Sequence, residues 1–247
     1  MRIGCLISAR EKSTRLKKKL LKRLGSLTII EYLMKRLKLI NCVDDLILST
    51  SINKKDLVLV KYALKHKINF FCGSENDKLL RYLHTALSYK LDSIIVVDAD
   101  DPFCFTDVIS KIAEKLKTNK YDYVSAKNLP IGASSTGLKV SALQKVISIK
   151  KEEDTEVWGG YFLKQKQFKK YLLKFPKYEN SNIRLTLDYI EDFVLIKKIY
   201  KLLRYKFKFK SIDVINLFNK NKKLIDINKR AKKKYLNHLK KSAAVRF

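Results

Sequence analysis

From Ile3 to Lys127 the chain alternates short apolar runs with stretches of helical spacing. No other feature narrows the available folds as much. The apolar runs are Ile3 to Ile7, Asp45 to Thr50 (DLILST), INFFCG from Ile68, SIIVVDA from Ser93 and YDYVSA from Tyr121. Helices are predicted from near Thr28, over Lys54 to His66 with Leu57, Val60 and Leu64 as the apolar stripe, over Asp77 to Tyr89, and over Thr106 to Leu116. Strands and helices in turn require crossover connections, and so an α/β fold with a mostly parallel, doubly wound sheet. SIIVVDA is the most apolar run, as a strand covered on both faces must be, and belongs at the centre. Beyond Asn128 the pattern loosens. A loop spans Pro130 to Gly137, a short helix is expected around Ala142 to Val146, and TEVWGGYF (Thr155 to Phe162) resumes an ordered aromatic segment. RLTLD reads as a strand ending at Asp188, with a helix from near Tyr189. With no internal repeat and no linker rich in Pro, Gly or Ser, the 247 residues suit one domain over 1–228 and a basic tail, 229–247.

The first thirty residues place chemistry on this frame. The strand from Ile3 stops at Ser8-Ala9-Arg10, and the following loop carries Arg10, Ser13, Arg15 and Lys19. A strand, a basic loop and a helix in that order put cations at the C-terminal edge of a parallel sheet, where open α/β folds bind nucleotides. Arginine forks match phosphate oxygens and lysine adds a mobile point charge, so the loop suits a triphosphate. Asp98, Asp100 and Asp101 follow the strand SIIVVDA directly and would face that loop across the crevice. Carboxylates there make sense if Mg²⁺ lies between protein and triphosphate, since Mg²⁺ takes one or two carboxylates plus phosphate oxygens. An Asp ahead of a helix also caps it, and Asp101 or Asp107 fits that reading.

Composition excludes some functions and leaves others open. Lys and Arg number 54 against 24 Asp and Glu, a formal charge of +30. Such an excess attracts nucleic acid, anionic membrane surfaces or anionic small molecules. The lysines are spread along the whole chain, which favours anionic substrates and coding bias over a specific nucleic-acid patch. Cys5, Cys42, Cys72 and Cys104 are far apart, with no paired His at ligand spacing, which argues against zinc and for reduced thiols in a cytoplasm. The N-terminal apolar run is too short for a signal peptide, and no apolar stretch is long enough for a membrane span.

Four motifs in order carry a family resemblance. A-R-x-x-S-x-R-L-x-x-K runs from Ala9 to Lys19, with Leu24-Gly25 after it. G-S-x-x-D-x-L-x-R-Y runs from Gly73 to Tyr82, Asp100 and Pro102 match G-D-x-P, and R-x-T-x-D-x-x-E-D-F runs from Arg184 to Phe193. The set resembles the sugar cytidylyltransferases, meaning the CMP-acylneuraminate and CMP-ketodeoxyoctonate synthetases and above all the spore-coat polysaccharide F-type branch. It covers about residues 1 to 205. Two positions depart: Lys17-Lys18 stand where the family has Pro-Gly, and Ala99 replaces the Gly before Asp100.

The resemblance implies a nucleotide-diphospho-sugar transferase architecture and transfer of CMP from CTP to a sugar, acidic by analogy, with release of pyrophosphate. It implies nucleotide contacts from Ser8, Ala9, Arg10, Ser13, Arg15, Lys19, Ser74 and Arg81. Arg10, Arg15 and Lys19 would stabilise charge on the phosphates, and Asp100 and Asp188 would hold Mg²⁺. Ser74 also reads as a helix cap with Asp77 as its partner. Glu191 and Asp192 read as helix-start residues. Gly132, Glu156 and Trp158 are candidates for the acceptor side, and Trp158 reads equally as core. None of His66, His84 and His238 falls on a family motif, so a His general base is not expected.

Two alternatives remain at this point. Asp98-Ala99-Asp100 is the D-x-D string of metal-dependent glycosyltransferases on a related sheet. A noncatalytic nucleic-acid-binding protein would explain the charge. RYKFKFK (Arg204 to Lys210) reads as a half-buried edge strand before it reads as a single-strand nucleic-acid platform. The tail from Lys229 has no acidic residue and only a weak stripe, Leu236 and Leu239. It reads as a frayed basic helix or disordered end whose removal spares catalysis, or as an arm docking across a homodimer.

Overall fold

The computed structural model of the protein describes residues 1–180 and 182–242. β1 (Ile3–Ser8) leads through a basic loop and a two-stranded ribbon, β2 (Arg23–Leu24) and β3 (Leu27–Thr28), into α1 (Ile29–Leu37). β4 (Asp45–Ser51), α2 (Leu57–Lys65), β5 (Asn69–Gly73), α3 (Lys78–Ser88), β6 (Ser93–Asp98), α4 (Thr106–Lys117) and β7 (Tyr123–Lys127) then alternate. After them come β8 (Thr136–Lys139), α5 (Val140–Ile149), α6 (Gly160–Leu163), β9 (Lys170–Lys174), α7 (Ile190–Leu202), α8 (Ser211–Lys220) and α9 (Lys229–Ser242).

The main sheet has the order β5-β4-β1-β6-β8-β7-β9. β5, β4, β1 and β6 run parallel, as does β9 with β7. β8 is antiparallel to both β6 and β7, because the loop between β7 and β8 contains no crossover helix that could return the chain to the same end. From β1 the chain winds outward to β4 and β5, then crosses back to β6 on the other side of β1. That reversal opens a crevice above the C-terminal ends of β1 and β6.

Side-chain alternation divides the core between two faces. Ile3, Cys5, Ile7, Ile95 and Val97 face one layer with α1 and α4, while Leu6, Ile47, Ile94 and Val96 face the other with α3 and α5. Burial on both faces is why β6 reads as an unbroken apolar run. Thr28 starts α1 with a capping box, in which its hydroxyl accepts from the Glu31 N–H and Glu31 accepts from the Thr28 N–H.

Three expectations are corrected. The stripe of α2 is Leu59, Val60 and Ala63, whereas Leu57 and Leu64 are exposed, because a 3₁₀ turn at Lys54–Asp56 precedes the α-helix and rotates its face. RLTLD is not a strand. Only Arg184 bridges to Ile131, and Leu185 and Leu187 are buried from an irregular segment that ends at α7. RYKFKFK is a loop. Arg204 and Tyr205 take left-handed backbone at φ 53° and 60°, which turns the chain back against the core. There Phe207 packs on Tyr32, and Phe209 packs on Phe103 with the Arg36 guanidinium 3.6 Å above its ring. The tail, expected as a frayed helix or a disordered end, is helical over Lys229–Ser242 and packs on the chain itself, with Ala231 fully buried. The Leu239 side chain lies outside the described residues. No helix among the described residues is long and apolar enough to cross a membrane.

Candidate active site

The loop after β1 is fixed at both ends. The Ala9 N–H donates to the Ser49 carbonyl at 3.1 Å, and the Thr50 hydroxyl donates to the Ala9 carbonyl at 2.9 Å. Leu16 and Leu20 are buried and pin its far side. Lys17 and Lys18 point to solvent, as a charge run usually does. Lys18 lies at φ 51°, ψ 38°, a left-handed conformation that suits glycine. This accounts for the Gly of the resembling motif and gives a prediction. Lys18→Gly should leave turnover intact and raise stability by up to about 1 kcal/mol, read from the urea midpoint. Ala99, by contrast, is not among the positive-φ residues, and its N–H donates to the Ser8 carbonyl at 2.9 Å.

Arg15 and Lys19 turn inward onto carboxylates. Lys19 Nζ donates to Asp100 Oδ2 and, at 3.0 Å, to Asp188 Oδ1, to which Arg15 Nη2 also donates at 2.8 Å. Burial works against the Lys19 charge, but Asp100 and Asp188 outweigh it and hold the ammonium above the ordinary lysine value. Burial likewise opposes the Asp188 charge, and Lys19 and Arg15 outweigh it, so Asp188 lies below the usual carboxylate range. Asp101 behaves in the opposite way. Burial, and then the fields of Asp100 and Asp98, push it well up, and its Oδ1 is buried with no hydrogen-bond partner.

Asp188 rests on a buried shelf. Arg184, with its side chain fully buried, donates from Nη2 to Asp188 Oδ2 at 2.9 Å, and from Nε and Nη2 to the two oxygens of Asp192, each at 3.0 Å. Asp192 Oδ2 also accepts the N–H groups of Asp188 and Tyr189 at 3.0 Å, which fixes the first turn of α7. Gly132 lies at φ 84°, and a Cβ there would come within 2.4 Å of the Thr186 nitrogen. The Pro130 to Gly132 loop thus presses on the segment leading to Asp188. Gly132 does not line the cleft.

On the opposite wall Glu156 bridges two cations. Arg10 Nη2 donates to its Oε2, and Lys78 Nζ lies 3.0 Å from its Oε1 and 3.8 Å from Asp98 Oδ1. Burial opposes the charge of Glu156, and Lys78 and Arg10 outweigh it and hold the carboxyl below its ordinary value. Thr155, fully buried, holds this segment in place. Its hydroxyl accepts the Leu79 N–H and donates to Asp77 Oδ1, which also caps α3 through the Leu80 N–H. Asp77 is therefore the α3 cap, while Ser74 accepts the Asp77 N–H through its hydroxyl and the Arg81 guanidinium through its carbonyl.

Together these groups line an open cleft of about 540 Å³. Of the residues singled out from sequence, Ser8, Ala9, Arg10, Ser13, Arg15, Lys19, Arg81, Asp100 and Glu156 border it. Asp188 adjoins it through Lys19 and Arg15. Ser74 lies in the turn behind Arg81, and Trp158 packs edge-on against Tyr82 and Phe162 as part of the core. Arg81 borders the cleft, is fully buried, and has Nε and Nη2 buried without a hydrogen-bond partner. Lys78 was missed by sequence reading, although its place three residues before Arg81 on the same helix face was a usable signal. Asp154 and Lys12 also line the cleft unforeseen. No histidine of the described residues borders it.

The donor set fits a hard divalent cation. Oxygens of Asp100 and Asp188 already converge on one ammonium, so both reach a common cation position. Among the described residues no group of three or more His, Cys, Asp or Glu is arranged to hold a metal ion, so Asp100 and Asp188 as a pair would leave most of a coordination shell to phosphate oxygens and water, the pattern Mg²⁺ prefers.

Comparison with known proteins bears on family and fold. The profile of a family described as cytidylyltransferase matches residues 4–229. The chain is 35% identical over 240 residues to an uncharacterized protein of Methanocaldococcus jannaschii, spanning 95% of this chain and 97% of that protein. It is 25% identical over 224 residues to the spore coat polysaccharide biosynthesis protein SpsF of Bacillus subtilis, 87% of this chain and 93% of that one. The structure of a cytidylyltransferase from Leptospira borgpetersenii superposes with a TM-score of 0.83 at 26% identity, covering 91% of this chain and 97% of its own.

Proposed function

The chain belongs to the cytidylyltransferase family, and from its cleft we propose that it transfers the cytidylyl group of CTP to a hydroxyl of an acidic sugar in surface polysaccharide synthesis. CTP-dependent nucleotidyl transfer is the activity of the family. The sugar, the metal and the residue roles are our reading. The observation that carries it is Lys19 held between Asp100 and Asp188 at the mouth of a cationic loop. Carboxylates and cations are interleaved there as a metal-bound triphosphate requires.

In this reading the acceptor oxygen attacks the α-phosphorus in line, the bond to the bridging oxygen breaks, and pyrophosphate leaves. Arg10, Arg15 and Lys19 exchange carboxylate partners for phosphate oxygens and stabilise the charge that builds on them. Asp100 and Asp188 would hold Mg²⁺, which when bound neutralises charge on the phosphates. The carboxylates of the cleft, Asp98 among them, are the available proton acceptors for the sugar hydroxyl. The acidic acceptor is supported by Glu156. Lys78 lies 3.0 Å from this carboxylate, and when Arg10 turns to the phosphates an incoming sugar carboxylate could take over Lys78.

The test is pyrophosphate release with CTP, Mg²⁺ and a panel of acidic and neutral sugars. Release is expected with CTP and an acidic sugar, and is abolished by EDTA. Turnover of neutral sugars alone would overturn the acceptor reading, and turnover unchanged by EDTA would overturn the metal reading. Lys19→Ala should lower kcat/KM for CTP by the equivalent of about 2–4 kcal/mol. Lys17→Ala, on an exposed side chain, should cost a few tenths of a kcal/mol or less. The reverse order would show that the loop is in another register when CTP is bound.

A further inference from the structure

We propose that Tyr235, on the C-terminal helix α9, is a positioning residue for Asp188 and acts through Arg184; this rests on the reading of Asp188 as a metal ligand. The sequence offered α9 as a dispensable basic end. Its contacts are with the shelf beneath the cleft. Just ahead of α9, Asn228 Nδ2 donates to the Arg184 carbonyl at 3.1 Å and to Asp192 Oδ1 at 2.8 Å. Nearly two turns into the helix the Tyr235 ring centroid lies 4.4 Å from the Arg184 guanidinium carbon. Lys234 reaches over the Tyr189 ring, which Arg15 also approaches at 5.6 Å.

Arg184 is a buried cation with two duties. It grips Asp192 and presents Nη2 to Asp188 Oδ2, which leaves Oδ1 for the cleft. Its Nη1 is buried with no hydrogen-bond partner, so a second type of contact must cover the guanidinium. An aromatic face supplies that cover, because it attracts the cation and keeps water out. Without the ring, water reaches Arg184, its hold on Asp188 weakens, and the carboxylate samples orientations that do not face the cleft. The fixed geometry a metal ligand needs comes from partners of this kind.

The experiment measures Mn²⁺ uptake by electron paramagnetic resonance in the presence of CTP, on the full chain, with metal-free CTP binding measured in parallel. It needs no sugar acceptor. Tyr235→Phe keeps the ring and should bind Mn²⁺ with CTP within twofold of wild type. Tyr235→Ala should bind it at least tenfold more weakly, with CTP binding in EDTA unchanged. If Tyr235→Ala does not fold, Tyr235→Leu, which keeps apolar cover but not the ring, carries the same expectation. A folded Ala or Leu variant with wild-type Mn²⁺ affinity, altered only in thermal stability, overturns the proposal. Wild type that takes up no Mn²⁺ with CTP overturns the metal reading and this proposal with it.

Discussion

Asp188→Asn should lose Mg²⁺-dependent turnover by on the order of 10³-fold, the upper end for removing one preorganised electrostatic group, while the chain keeps its fold. The substitution is isosteric and removes one negative charge from a point where three cations meet. Arg15 and Lys19 converge on Oδ1 and Arg184 on Oδ2. A neutral amide oxygen there is a weaker ligand for a hard cation than a carboxylate, and the NH₂ group beside it faces donors rather than acceptors. Asp100→Asn should behave alike, because Asp100 shares Lys19 with Asp188. The measurement is pyrophosphate release across a Mg²⁺ titration, with circular dichroism and Tm as the check on folding. Activity that returns at high Mg²⁺ would mean the carboxylate tunes metal affinity only. Activity indifferent to the substitution would remove Asp188 from the site.

Much of this site was legible from the chain because its parts follow strands that are unbroken apolar runs. β1 and β6 are buried on both faces, so their ends, and hence Arg10 and Asp98, could be placed by apolarity alone. Legibility failed where one alternating pattern serves two structures. RLTLD and RYKFKFK alternate as edge strands do, yet Leu185 and Leu187 are buried, and Phe207 and Phe209 half-buried, from loops that pack on the core. Nothing local in those strings distinguishes a neighbouring strand from a neighbouring helix. The packing of the tail on the chain was hidden for another reason. Its lysines dominate the composition, whereas its attachment depends on Ala231 and Tyr235, two residues that a stripe of leucines does not reveal. Lys78 escaped because its partners, Asp98 and Glu156, come from separate segments that only the fold brings together.

Asp192→Asn should act on the whole fold, costing about 3–5 kcal/mol, the usual loss when one member of a buried ion pair is neutralised. Asp192 is buried and both of its oxygens are saturated by donors: Arg184 on each, Asn228 on Oδ1, and the N–H groups of Asp188 and Tyr189 on Oδ2. An amide can present one acceptor to this ring of donors. Its NH₂ must face at least one of them, and Arg184 is left a buried cation with Asp188 as its remaining carboxylate. The effect differs in kind from that of Asp188→Asn. Residual turnover per folded molecule should stay Mg²⁺-dependent, and the loss should track the unfolded fraction in a urea titration. A domain of this size in which 3–5 kcal/mol is lost retains a small part of its usual stability margin, so the variant should unfold well below the wild-type Tm. A stable Asp192→Asn protein without turnover would place Asp192 in the chemistry beside Asp188. A stable and active one would show that Arg184 draws its compensation from elsewhere.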